Sequence, residues 1–545
     1  MFPGVGRGVS AVRRPRAGTA RLLALALAVL GVVVLPVGAA HAAPIHNDSL
    51  AAPATDVFGR ITPAGDPSKC LQTSDLLPRQ KGGPSYAHAL ALVACDTAGR
   101  DGYWMFAANG TIVNAATGLC LSAVEFPYGQ SLEPIQGDPF ACLDGWRVTW
   151  SYEAGLIKTQ NRWVGTKCLD SIPPRYFTIN LSLNDCSSAA SQQWSFVPWQ
   201  TAVVSLGDSF ISGEGGRWQC NSNNFTFSRD GTDRAWTGTG YDPAKIYGPS
   251  YANYCNRSDT AEVNSATGIA QNAINLACSG ATTANIFRTT NGGQIFKGEQ
   301  PQADQLAPVA RQYQVKVIAL SIGGNDLGFS DIIEACIKAY TLSQAPCNPA
   351  QQANIDAKIG TAKQNVIKAI GEIQATMTTA GYPADSYRII LQSAPSPLPR
   401  AAEIRYTEAL GRLTTGGCPF WNADADWARD SLLNQMSDTL KSAAQSAGVD
   451  FLDLRNAFQG REVCAKASSL VTFLKPPSSV TNEWARFLVS GLAQGQVQES
   501  FHPNAFGQIA LGRCLTLMAA SNAHVANCDN TPGQDATQMR LTTVS

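Results

Sequence analysis

The sequence predicts two folded domains of different class: a three-layer α/β domain with a parallel sheet from Thr201 onward, and before it an all-β barrel over residues 56–199. After Thr201, short β-branched strands alternate with amphipathic helical patterns, the order expected of a sheet sandwiched by helices. Before it, a Cys-Leu pair, a second cysteine and a tryptophan recur three times, which implies three similar units. A chain of 545 residues is also too long for one ordinary core.

Taken in order, residues 1–42 read as a secretory signal peptide. Arg13, Arg14, Arg16 and Arg21 precede an apolar run from Leu22 to Val37, and Ala40-His41-Ala42 supplies a small-x-small cleavage site. Gly31 and Pro36 interrupt the run, which argues against a retained anchor. The arginine pattern leaves the general and twin-arginine export routes both open. Export to an extracellular location makes the 15 cysteines readable as disulfides rather than metal ligands, with one left over. Residues 43 to 55 are small and polar, a lead-in.

In the barrel region, Cys70-Leu71, Cys120-Leu121 and Cys168-Leu169 each open a unit, Cys95, Cys142 and Cys186 follow, and Trp104, Trp150 and Trp194 close the units. Staples within repeats are expected, as Cys70–Cys95, Cys120–Cys142 and Cys168–Cys186. Short alternating segments such as Leu156 to Gln160 and Phe177 to Leu183 favour strands. The last unit ends Gln192-Gln193-Trp194, and with this Gln-x-Trp signature the region resembles the ricin-type β-trefoil lectin family. That resemblance implies a trefoil and a candidate carbohydrate site at Asp170 and Gln192. Asn184 and Ser191 stand where the family has an aromatic platform and an asparagine, and Gln72 and Ser122 replace the aspartate in the other units. A polysaccharide-binding module and a disulfide-stapled spacer both fit this pattern.

The second domain, 201–528, opens on Val203-Val204-Ser205-Leu206-Gly207-Asp208-Ser209. The apolar residues suit a central strand, Gly207 permits a sharp turn, and Ser209 falls at the strand's carboxyl end, where open α/β sheets place their ligands. A serine hydroxyl needs a base and an oxyanion site. Of the histidines in this region, His502 sits in a loop opening a helix at Pro503, whereas His524 has no such setting. Asn275 to Thr283 is a strand end followed by a small-residue turn, in which the Gly280 N–H can face a ligand. Leu320 to Asp326 repeats that design and adds the Asn325 amide. Further strands are expected at Ala273 to Ala277, Val315 to Ile322, Tyr387 to Leu391 and Val449 to Leu454. One apolar helical stripe runs through Ile355, Ile359, Ala362, Val366, Ile370, Ile373 and Met377. Residues 529–545 are expected to be a flexible tail.

These four segments, in this order, resemble the SGNH (GDSL-type) hydrolase family, actinomycete secreted lipases and esterases in particular. The resemblance implies a flavodoxin-like sheet, Ser209 as nucleophile, His502 as general base and then acid, and an oxyanion hole from the N–H of Ser209, the N–H of Gly280 and the amide of Asn325. Many members have an aspartate three residues before the histidine. This chain has Glu499 there, which leaves a Glu499 triad and a dyad oriented by a backbone carbonyl as alternatives. Cys255-Asn256-Arg257-Ser258 resembles a family motif whose cysteine pairs with one like Cys278. The same resemblance gives Cys336–Cys347, Cys418–Cys464 and Cys514–Cys528, with Cys220 single. The insertion from Arg217 to Tyr254 either shapes the acyl or alcohol pocket or is a plain surface loop.

The reading is therefore a secreted serine esterase or lipase acting on a small-molecule or lipid ester, as a monomer, with neither metal nor cofactor. Its rivals are a polysaccharide deacetylase and a catalytically silent binding protein. Lys+Arg and Asp+Glu are 41 each, which excludes a strongly charged nucleic-acid or polybasic membrane role for the whole chain.

Overall fold

The computed structural model describes residues 57–74, 89–125, 132–136, 142, 149–161, 165–171, 181–223, 229–489 and 495–544. The signal segment 1–42, the lead-in and most of Phe177 to Leu183 lie outside them. Among the described residues no helix is long and apolar enough to cross a membrane.

The first folded part is a β-trefoil. Its three hairpins pair Lys69–Ser74 with Ala89–Ala94, Leu121–Glu125 with Leu132–Gln136, and Gly165–Asp170 with Ser182–Asp185. The repeat is visible in one interaction made three times: the indole N–H of Trp104 donates to Leu71 O at 2.9 Å, that of Trp150 to Leu121 O at 2.8 Å, and that of Trp194 to Leu169 O at 2.9 Å. Each buried indole thus caps a carbonyl of its own Cys-Leu segment, satisfying both polar groups in an apolar core of Ile61, Leu71, Leu121, Ile157, Leu169 and the three tryptophans. Cys70–Cys95, Cys120–Cys142 and Cys168–Cys186 are disulfides, one per unit.

The second part is built on a seven-stranded sheet. Across it the strands run Asn272–Asn275, Thr201–Gly207, Gln314–Ser321, Arg388–Gln392, Asp450–Asp453, Val525–Asp529 and Arg540–Thr543, all parallel but the last. This flavodoxin-like order puts Thr201–Gly207 beside the point where the strand order reverses, so its carboxyl end opens into the crevice that such sheets use for ligands. Alternation along the strands feeds two cores. Val203, Val317, Ala319, Ile390 and Leu452 face one side with Leu511, Leu515 and Met518 of helix Ala505–Ala520. Val204, Leu206, Ile318, Leu320 and Leu391 face the other with Leu306 and the stripe Val366, Ile370, Ile373 and Met377 of helix Asn348–Thr379.

Residues 529–544 are not part of a flexible tail of the kind that the polarity of 529–545 suggested. Ala536 and Met539 are buried in the core, and Arg540–Thr543 pairs antiparallel with Val525–Asp529. Edge strands often carry charged and polar side chains, so Arg540-Leu541-Thr542-Thr543, in which Leu541 alone is partly buried against the core, reads as coil in sequence.

The two parts share packing. Tyr103 stacks on Trp199 with ring centroids 3.9 Å apart and donates its hydroxyl to Arg311 O at 2.9 Å, while Trp199 meets Tyr382. All of these contacts lie at the amino-terminal ends of the strands.

Candidate active site

Gly207 ends the first strand with φ 138°, and a Cβ there would sit 1.9 Å from Ser321 O, so only glycine lets the two strand ends approach. The turn is clamped by Gln302, whose Oε1 accepts from Gly207 N at 2.7 Å and whose Nε2 donates to Gly207 O at 2.8 Å. Asp208 caps the short helix Ser209–Ser212, accepting from Phe210 N. Burial, with Asp326 nearby, pushes the Asp208 carboxyl up to about 7.

Ser209 Oγ lies 2.7 Å from His502 Nε2, and His502 Nδ1 lies 3.1 Å from Ser500 O. A carbonyl can only accept, so Nδ1 carries the proton and Nε2 is left as an acceptor for the serine hydroxyl. Burial of the imidazole, opposed by the carbonyls of Ser500 and Gln498, pushes its pKa down to about 4, which keeps the resting ring neutral. Phe501, with φ 60°, turns the chain so that the ring folds back on the carbonyl two residues earlier.

Glu499 does not take the triad position. Its side chain is fully buried and turned the other way: Oε1 accepts from Tyr247 OH at 2.8 Å, and Oε2 accepts from Trp218 Nε1 at 2.8 Å and from Gln496 N at 2.9 Å. Of the two alternatives left by the sequence, the geometry matches the carbonyl-oriented dyad. The added methylene and the short turn Val497–Glu499 carry the carboxylate into the protein, where Trp218 and Tyr247 of the insertion donate to it beside Gln496 N. That insertion is therefore more than a surface loop.

Gly280, with φ 83°, and Asn325 border the same cavity as Ser209 and His502. One N–H of the Asn325 amide goes to Ala281 O at 2.9 Å, leaving its second donor for a ligand oxygen. The two turns are tied by Asp326, which accepts from both Thr283 N, at 3.0 Å, and the Thr283 hydroxyl. Cys255–Cys278 braces the glycine turn, and Ser279 N donates to Cys255 O across it. Lys297 Nζ bridges Tyr254 O and Ser279 O, both at 2.6 Å. Gln508 ties the histidine helix to the serine turn, donating to Phe210 O at 2.8 Å. Gln302, Gln508, Trp218 and Tyr247 escaped sequence reading because an isolated glutamine or aromatic carries no motif.

The cavity has a volume of about 740 Å³, ample for a drug-sized ligand. Its walls are mainly apolar, with Phe329, Ile333 and Ile337 from helix Phe329–Thr341 and Leu433, Met436 and Leu440 from helix Leu433–Ala447, beside Glu334, Lys338 and Ser437 from the same helices.

A family model for GDSL-like lipases and acylhydrolases matches residues 205–508, more than half of the chain. The chain belongs to the GDSL-like lipase/acylhydrolase family. Among solved structures, this GDSL-like chain is similar to an extracellular lipase from Streptomyces rimosus, at 19% identity over 59% of this chain and 100% of that one, with a TM-score of 0.33. It is similar also to phospholipase A1 from Streptomyces albidoflavus, at 21% identity, 59% and 100% coverage and a TM-score of 0.35. A β-trefoil lectin of the Vibrio vulnificus hemolysin/cytolysin matches at 12% identity over 26% of this chain and 94% of that one, with a TM-score of 0.20. No curated protein sequence matches.

The remaining cysteine pairs of this domain, Cys336–Cys347, Cys418–Cys464 and Cys514–Cys528, are disulfides, and Cys220 is free and buried. In the trefoil, Gln192 Nε2 and Asn184 Nδ2 both donate to Asp170 Oδ2, at 3.1 and 3.0 Å. Asp170 and Gln192 meet, but each is almost inaccessible, 3% and 2% exposed.

Proposed function

We propose that this GDSL-like ester hydrolase is a secreted serine esterase or lipase working through an acyl-enzyme on Ser209. The observation that carries the reading is the 2.7 Å approach of Ser209 Oγ to His502 Nε2 on the wall of a mainly apolar cavity that Gly280 and Asn325 also border. Ser209 attacks the ester carbonyl carbon while His502 Nε2 takes the hydroxyl proton. The carbonyl oxygen becomes an oxyanion facing the N–H of Ser209, the N–H of Gly280 and the Asn325 amide. Collapse expels the alcohol, which receives the proton from His502. Water then repeats the sequence on the acyl-serine, with His502 as base, and the carboxylic acid leaves as Ser209 regains its proton. The Ser500 carbonyl holds the imidazole and favours the imidazolium in each step.

Seven disulfides are in keeping with an oxidising extracellular setting. The apolar cavity favours an acyl chain over the acetyl group of a polysaccharide, and the burial of Asp170 and Gln192 favours a structural trefoil over a sugar-targeting one. A monomer acting on free ester substrates is the simplest reading. The test is hydrolysis of p-nitrophenyl esters from acetate to palmitate beside acetylated xylan and phospholipid. Preference for acetylated xylan would replace this reading with that of a carbohydrate esterase.

A further inference from the structure

The apolar wall of the cavity is more elaborate than ester cleavage requires. Phe329, Ile333 and Ile337 recur at four-residue spacing on one helix, and Leu433, Met436 and Leu440 at three- and four-residue spacing on another, so each trio forms one helix face and the two faces line the same space. A π turn, Ala428–Leu432, precedes the second helix and sets its phase.

Two small spaces adjoin these faces. One, of about 50 Å³, is bounded by Phe329, Ile333 and Met436 toward the cavity and by Phe420 and Trp427 beyond. The other, of about 20 Å³, is bounded by Gly324, Leu440 and Met436 toward the cavity and by Ile359 and Val366 beyond. Met436 is the residue that borders the cavity and both chambers. It is also the side chain best suited to move there, because an unbranched thioether has three soft torsions, whereas Phe329 and Ile333 are stiff. Spaces lined this largely by apolar side chains do not hold stable water, so displacing Met436 into them breaks no polar contact.

We propose that Met436 sets the acyl-chain length this enzyme accepts. A short acyl group ends before it. A long one presses on the thioether, which swings into a side chamber and lengthens the channel. This inference rests on the acyl-enzyme reading given above, with the acyl chain lying between the two helix faces.

The test compares kcat/KM for p-nitrophenyl butyrate, octanoate, dodecanoate and palmitate in the wild type, Met436→Ala and Met436→Phe. Binding of free dodecanoate is measured by calorimetry on the same proteins. Met436→Ala joins the chambers to the cavity and should raise the dodecanoate-to-butyrate ratio by about tenfold, while Met436→Phe fills the junction and should lower it by about tenfold, the scale that one or two methylenes carry in an apolar pocket. A ratio is read because loss of folded enzyme lowers both terms alike. Leu440→Phe closes only the smaller chamber and should cut palmitate before dodecanoate, so it stands in if either Met436 variant fails to fold. Unchanged ratios in folded variants would overturn the role of Met436. If the wild type cleaves no ester at all, the acyl-enzyme reading fails instead, and equal dodecanoate affinity across the variants would then overturn this proposal by itself.

Discussion

A serine and an imidazole 2.7 Å apart act as one unit, so Ser209→Ala and His502→Ala should each remove nearly all ester turnover, and the double variant should be scarcely worse than either. Independent, additive losses would contradict the assignment. The base works only when neutral. Because His502 is pushed down from its ordinary 6.5 to about 4, kcat/KM should hold as pH falls below 6.5 and drop only as pH passes through the lowered value. An acid limb at or above pH 6.5 would show an imidazole stabilised as a cation, as a carboxylate partner would do. Glu499 is the candidate for such a partner, and its three accepted hydrogen bonds argue otherwise. Glu499→Leu leaves the Trp218 indole N–H and the Gln496 N–H buried without an acceptor, so unfolding free energy should fall by about 1–3 kcal/mol for each, with the acid limb unmoved. A triad acid would instead lose about 10⁴-fold in kcat. That Ser209, Gly280, Asn325 and His502 would gather at one cavity was legible in sequence because each sits in a segment whose glycine, proline or strand end has a local meaning. The side-chain direction of Glu499 was not, since it depends on Trp218 and Tyr247, more than 250 positions away.

Among the elements, the strands were legible from apolar runs and the long helix from its stripe, while Arg540–Thr543 was hidden because a four-residue edge strand with Leu541 as its one apolar residue shows no alternation. The turn holding Gly280 shows what local pattern cannot supply. It is held from three sides: by the Cys255–Cys278 disulfide, by Lys297 on Ser279 O and by Asp326 on Thr283. Replacing both Cys255 and Cys278 by serine should cost about 2–5 kcal/mol of stability. Since Lys297 and Asp326 still hold the turn, KM should change less than kcat, because the Gly280 N–H matters most when the oxyanion forms. Equal damage to both, at full folding, would mean that the bridge shapes binding rather than the oxyanion site.

For the whole molecule, the trefoil and the sheet meet at one end of the strands and the chemistry lies at the other. Tyr103, Trp199, Arg311 and Tyr382 gather where the strands begin, while Ser209 and Asn325 follow where they end. Seven residues separate those ends in the first strand, a span of roughly 20 Å. The sequence placed the boundary near Trp199 and treated the halves as independent, but Tyr103 packs into the same core as Val204, Leu306 and Tyr382. That contact is made between segments far apart in the chain, so no local pattern announces it. A fragment of residues 201–545 loses the Tyr103–Trp199 stack and exposes Tyr382, and its Tm should fall below that of the full chain. Its kcat/KM on p-nitrophenyl butyrate should nevertheless stay within about threefold, because perturbations more than 7–10 Å from a site usually act independently of it. Calorimetry on the fragment separates the two effects: a lowered Tm with turnover intact assigns the trefoil a supporting role, whereas loss of turnover from a fragment that still unfolds cooperatively would show that the trefoil acts on the active site through the length of the sheet.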